Sequence, residues 1–181
     1  LLDLIDYKIV AKHPKILMGY SDITSLLLAL NAKTGLVTFH GPVGISTWNE
    51  YSTDFVKRLL FDAQAFSMEN PKEMGDNLTQ VKDRILTINS GQAKGRLVGG
   101  NLTVLTAMVG SDYLPDFKGK VLFLEDVGEN IYRIDRMLTQ LKLAGILGQL
   151  SGFVFGKCSD CGPEESYGSL TLEERLDDHI K

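Results

Sequence analysis

The chain has 181 residues, enough for one sizeable domain or two small ones, and 44% hydrophobic with 23% charged residues excludes disorder and collagen-like order. A net charge of −4, with no run of about five like charges, argues against a nucleic-acid partner. No apolar run approaches the roughly 18 residues of a membrane span, and the first residues lack the basic-then-apolar layout of a signal peptide, so no membrane partner is expected.

Lys15 to Tyr20 reads as a short buried strand. From Asp22 onward, Ile23, Leu26, Leu27 and Leu30 repeat at the spacing of one helical face, with Gly35 as the stop. Leu36 to Phe39 is a second short strand, followed by a loop with Gly41, Pro42, Gly44 and Trp48, then a helix over Asp54 to Leu60. The polar stretch from Ser67 to Asp83, with Pro71 and Gly75, suits a connection between folding units. Beyond it, Arg84 to Asn89 and Gly95 to Val98 alternate like antiparallel strands, and Leu102 to Val109 is helical. Lys120 to Leu124 is an apolar strand. Ile131, Ile134, Leu138 and Leu141 mark a helix ending near Ala144, and Ser151 to Gly156 forms one more buried strand. A last helix is announced by the Thr171 and Glu174 capping pair.

This order predicts an α/β protein in two parts. Residues 1–75 close an N-terminal parallel α/β layer, and residues 76–181 open a second domain with a mixed, partly antiparallel sheet and helices. The chain begins without methionine and stops inside a helical pattern, so a fragment of a longer protein is expected.

Cys158 and Cys161 have a C-x-x-C spacing, but His13, His40 and His179 supply no second paired spacing for a zinc site. Ser159, Asp160, Gly162 and Pro163 read as loop rather than as the helix start of a redox motif, so free thiols of a reducing cytosol are expected, with no metal.

Chemistry concentrates at Met18-Gly19-Tyr20-Ser21-Asp22-Ile23, where a serine stands between a strand end and a helix start. A sharp turn there lifts the hydroxyl from the surface, and the helix N-terminus offers N–H groups, beginning with that of Asp22, to a developing oxyanion. Ile23 replaces the second glycine of the usual elbow. Serine is equally a favoured N-cap, so the local pattern leaves nucleophile and cap both open. Further on, a carboxylate at the end of an apolar strand before the Gly128 turn is where α/β enzymes present site residues, and Glu125, Asp126 and Glu129 are all eligible.

The blocks Gly19-Tyr20-Ser21-Asp22-Ile23-Thr24, Lys33 to Pro42, Gly99-Gly100-Asn101-Leu102-Thr103 and Leu122 to Glu129 together resemble the LD-carboxypeptidase family of serine peptidases, which includes microcin immunity peptidases. The resemblance runs from about Pro14 to Cys161. It implies a Ser-His-Glu triad with Ser21 as nucleophile, Glu125 as the acid and the Asp22 N–H in the oxyanion hole. The histidine of that pattern lies in a Gly-His stretch further on, so the segment alone is expected to be inactive and His40 to be a wall of the site. The resemblance also implies a murein-derived peptide substrate, no cofactor, a cytoplasmic homodimer, and a division into a nucleophile-bearing domain before position 75 and an acid/base-bearing domain after it. Arg96 is a candidate for the substrate carboxylate beside Gly99-Gly100-Asn101, with Asn101 and Trp48 as further binding candidates.

Overall fold

The computed structural model describes residues 1–71, 84–162 and 170–180. Leu1–Gly44 and Gly91–Lys181 pack as one unit, and Ile45–Ser90 forms another. The boundary expected between 75 and 76 lies outside the described residues.

The first unit contains two parallel sheets. After the short helix α1 (Tyr7–Lys12), strand β1 (Met18–Gly19) pairs in parallel with β2 (Phe39–His40), matching Met18 with Phe39 and Gly19 with His40. Helix α2 (Ile23–Thr34) makes the crossover and ends where Gly35, at φ 74, donates its N–H to the Asn31 carbonyl. Thr24, Leu27, Leu28, Ala29 and Leu30 of α2 are buried. The expected stripe of Ile23, Leu26, Leu27 and Leu30 is therefore too narrow. Three consecutive leucines and an alanine make the helix apolar around most of its circumference, and it is covered accordingly.

The second sheet has the order β3-β4-β5, with β3 (Leu97–Asn101), β4 (Val121–Val127) and β5 (Gly152–Ser159) all parallel. Helix α4 (Leu102–Ala107) belongs to the first crossover and α5 (Ile131–Leu143) to the second. The α/β class holds, but among the described residues the antiparallel pairing expected after residue 84 is not present. Arg84–Asn89 forms no strand, and the strand expected at Gly95–Val98 is β3, running parallel to β4. Alternation of side chains does not report strand direction. The connection does, because the chain between Asn101 and Val121 carries a helix and cannot close a hairpin.

Strand β4 is central, and its burial alternates: Leu122, Leu124 and Asp126 point inward while Phe123 and Glu125 are partly exposed. Helix α5 buries Ile131, Ile134, Leu138 and Leu141, as its periodicity predicts. Leu102, Leu105, Leu122, Leu124, Ile134, Leu138 and Leu141 are fully buried, each contributing about 1.5–3 kcal/mol. Helix α6 (Leu172–Ile180) opens on the expected capping box, with the Glu174 carboxylate accepting from the Thr171 N–H at 2.7 Å and the Glu174 N–H donating to the Thr171 hydroxyl at 3.2 Å.

His179 packs against α5 with its side chain 10% exposed, its Nε2 3.0 Å from Asp135 Oδ1 and its Nδ1 without a hydrogen-bond partner among the described residues. One expectation is corrected. Cys158 and Cys161 are not free thiols but form a disulfide. The turn after β5, with Asp160 at φ 56, brings their Cα atoms to 5.4 Å, inside the range a bridge requires.

In the second unit, helix α3 (Glu50–Val56) starts earlier than the helix expected at Asp54–Leu60, because the Asn49 side chain caps it by accepting from the Ser52 N–H at 2.8 Å. A wider helical turn continues it over Lys57–Phe61. Tyr51, Phe55 and Phe66 stack edge to face or tilted, and the Arg58 guanidinium lies 4.3 Å from the Phe66 ring centre. Among the described residues, no helix is long and apolar enough to cross a membrane.

Candidate active site

The elbow is built by Gly19. A side chain there would bring its Cβ within 2.6 Å of Ile23 Cγ2, so only glycine allows β1 to feed so tightly into α2. Two residues later Ser21 adopts φ 59, a left-handed conformation that costs a non-glycine residue on the order of 1 kcal/mol and is enriched at functional sites, shared in this chain with Ala63 and Asp160. Its side chain caps nothing among the described residues. The Thr24 N–H is bonded to the Ser21 backbone carbonyl at 2.9 Å instead, and the helical N-cap position belongs to Asp22. The Asp22 N–H has no backbone acceptor among the described residues. Ser21 is exposed, so an unengaged hydroxyl and an unengaged N–H occupy adjacent positions at the start of α2.

The carboxyl end of β3 ties this elbow to β4. Gly99 is at φ 145, and a Cβ on it would overlap the Phe123 carbonyl oxygen; one on Gly100 would lie 2.8 Å from the Thr24 side chain. Bare backbone is therefore required where β3 is pressed between β4 and α2. Asn101, which is buried, then makes three contacts: its backbone N–H donates to Thr24 Oγ1 at 3.1 Å, its Oδ1 accepts from the Val104 N–H at 3.1 Å and caps α4, and its Nδ2 donates to Asp126 Oδ1 at 3.0 Å.

The eligible carboxylates are distinguished by their partners. Asp126, 4% exposed, accepts from Asn101 Nδ2, from the N–H and hydroxyl of Thr103, and from its own neighbour's N–H at Val127, at 2.8–3.0 Å. Glu129 pairs with Arg133 at 3.4 Å one helical turn on. Glu125, on the other face of β4, has no comparable set of donors among the described residues. Its side chain is 23% exposed, and its Oε1 lies 3.7 Å from His40 Nε2. Burial raises the Glu125 pKa above the usual carboxylate value, a hydrogen bond from the Asn101 amide works the other way, and the Asp126 charge raises it further. Burial lowers the His40 pKa below the ordinary imidazole value.

Ser21 and Asp22 thus follow β1, His40 and Asn101 finish β2 and β3, and Glu125, paired with Asn101, lies two residues before the end of β4, all toward the carboxyl ends of parallel strands, the edge where α/β sheets hold ligands. Arg96 does not join them. It precedes β3 at the opposite end, with about 13 Å of strand between Leu97 and Asn101, so it is misplaced for a substrate carboxylate at Glu125. Trp48 belongs to the second unit and is 40% exposed. Thr24, Thr103 and the anchoring role of Asp126 were not legible in the sequence. The one cue was a hydroxyl on the leucine-rich side of α2. Among the described residues, no group of three or more His, Cys, Asp or Glu side chains is placed to hold a metal ion.

Two family models match the chain: the LD-carboxypeptidase N-terminal domain over residues 1–41 and the LD-carboxypeptidase C-terminal domain over residues 94–181. A probable murein peptide carboxypeptidase of Bacillus subtilis is 42% identical over 176 residues, covering 97% of this chain and 53% of the relative. The microcin C7 self-immunity protein MccF of Escherichia coli is 32% identical over 200 residues, covering 98% of this chain and 58% of the relative. Among solved structures, a muramoyltetrapeptide carboxypeptidase from Oxalobacter formigenes superposes with a TM-score of 0.78 at 29% identity, covering 97% of this chain and 57% of that one. The chain spans about half the length of the curated relatives it matches.

Proposed function

This chain belongs to the LD-carboxypeptidase family, and on that premise we propose that the complete protein is a serine-type L,D-carboxypeptidase. It releases a terminal D-alanine from the L-centre of a diamino acid in murein tetrapeptides, during cell-wall recycling in the cytoplasm. Ser21 attacks the scissile carbonyl, and a histidine outside these 181 residues takes its proton and later gives it to the leaving amine. Glu125 orients that histidine and stabilises its charged form. The Asp22 N–H, at the positive end of α2, receives the oxyanion. Asn101, held between Thr24 and Asp126, spans the acid end of the site, its amide reaching both Asp126 and Glu125. No metal or organic cofactor enters these steps, and the working form is a homodimer.

The observation that carries the reading is Ser21 itself, exposed and uncapped at φ 59 on the turn into α2. A serine serving only as an N-cap has no need of that conformation. The test is labelling of the complete protein with a fluorophosphonate, followed by assay on a murein tetrapeptide. Labelling at Ser21 with release of D-alanine is expected. A protein that is neither labelled nor active is a non-catalytic binding module. The likeness to the microcin C7 self-immunity protein favours a second substrate class, a peptide joined to a nucleotide. Parallel kcat/KM measurements on both substrates decide between them.

A further inference from the structure

We propose that His40 is a positioning residue for Glu125, holding the carboxylate from the β2 side, and is not the base for Ser21. The proposal rests on the triad reading above and assigns a role to a histidine that the triad leaves over.

The geometry has three parts. His40 ends β2 and is paired with Gly19, one strand away from the elbow. Its ring meets Phe123 edge to face, with centroids 5.5 Å apart, and Phe123 lies two residues before Glu125 on the same face of β4. Phe123 is confined in turn from β5, where a Cβ on Gly156 would stand 3.0 Å from its ring. The imidazole is therefore fixed by an aromatic neighbour on the strand that carries the acid, and its Nε2 is aimed to within 3.7 Å of Glu125 Oε1. That is longer than a hydrogen bond, and no hydrogen bond joins the imidazole to Ser21 among the described residues.

Among the described residues, Glu125 is the one charged side chain within ion-pair distance of His40. Asp126, the next carboxylate on β4, is turned away and occupied by Asn101, Thr103 and the Val127 N–H. Neither β1 nor α2 supplies an ion-pair partner. Burial disfavours the charged form of both groups, lowering the His40 pKa and raising that of Glu125. The contact then limits where Glu125 can turn without capturing its charge. Once acid protonates His40, the imidazolium competes with the triad histidine for that carboxylate.

The experiment uses the complete protein. The His40 imidazole is followed by NMR through a pH titration in wild type and in Glu125→Gln, a readout that needs no activity. Loss of the anion should lower the His40 midpoint by about half a pH unit or more; an unchanged midpoint overturns the proposal. In turnover, His40→Ala should lose about tenfold in kcat with KM within about twofold, whereas His40→Gln, which retains an N–H donor, should recover to within about threefold of wild type. The acid limb of log kcat/KM should approach a slope of about two in wild type and about one in His40→Gln. A loss in His40→Ala as large as that in Ser21→Ala would make His40 the base, and a Gln variant no better than Ala would reduce it to filler; either overturns the proposal. A wild-type protein that hydrolyses neither substrate class overturns the triad reading, while the NMR midpoint still judges the contact.

Discussion

At the carboxyl ends of β1 and β4 the chain breaks local rules: Ser21 holds a left-handed backbone, and Glu125 keeps a partly buried carboxylate with no anchoring hydrogen-bond set like that of its neighbour Asp126. Along α5 and α6 the rules are obeyed. Ile131, Ile134, Leu138 and Leu141 form one buried stripe, and Thr171 with Glu174 closes a reciprocal cap. Removing a group from the first region should therefore change chemistry more than stability, and removing one from the second should do the reverse.

The largest expected effect tests the first half of that contrast. Ser21→Ala in the complete protein should lower kcat by about three orders of magnitude or more, with a melting temperature close to wild type by calorimetry. Near-native turnover on both substrate classes would return Ser21 to a structural role. Next, Glu125→Gln should lose about two orders of magnitude in kcat at nearly constant KM, because orientation of the base matters chiefly in the transition state. Asp126→Asn should be milder in kcat yet less stable, since it weakens the bonds that hold Asn101 and Thr103; the reverse ranking in kcat would mean the wrong acid was chosen.

From the other region, Leu138→Ala should cost about 3 kcal/mol by denaturant unfolding, through lost burial and the cavity left behind, while kcat stays unchanged. A matching fall in kcat would show that α5 and the strand ends are not independent. Thr171→Ala should cost about 1 kcal/mol, the usual effect of an N-cap loss.

The smallest effect is a change in the pH dependence of stability. His40 has a lowered pKa, so its contribution is complete above the ordinary value of 6.5 and is lost as pH falls through the folded value. Glu125 has a raised pKa, so its contribution is complete below the ordinary value of 4.5 and is lost as pH rises through the folded value. His40→Gln and Glu125→Gln should therefore tilt the stability curve in opposite senses between pH 4.5 and 6.5. Tilts of the same sign would contradict the burial of one of the two groups.

The same contrast explains what the sequence disclosed. The α5 stripe, the Gly35 stop and the α6 cap were legible because each is a local rule spelled in adjacent residues. Strand direction was not, since alternation at Gly95–Val98 suits either pairing and the decision rests on a crossover many residues long. At the site, Ser21 stood out by position, while position left Glu125, Asp126 and Glu129 open and family likeness alone singled out Glu125; the bonds from Asn101, Thr103 and Arg133 that set the three apart are remote in sequence or fixed only by folding. Arg96 precedes β3 at the end opposite Asn101, because nearness to Gly99 in sequence is not nearness to the strand's carboxyl end.

The Cys158–Cys161 bridge has a consequence that follows from ring size. Closing a loop of about four residues removes little freedom from the unfolded chain, about 2 kcal/mol by the loop-entropy relation against about 4.7 for a hundred-residue loop. The bond therefore acts as a local clip. It fixes the backbone just beyond the point where Gly128 donates its N–H to the Ser159 carbonyl at 2.8 Å, so its cleavage should register in amide exchange at that turn well before it registers in global unfolding.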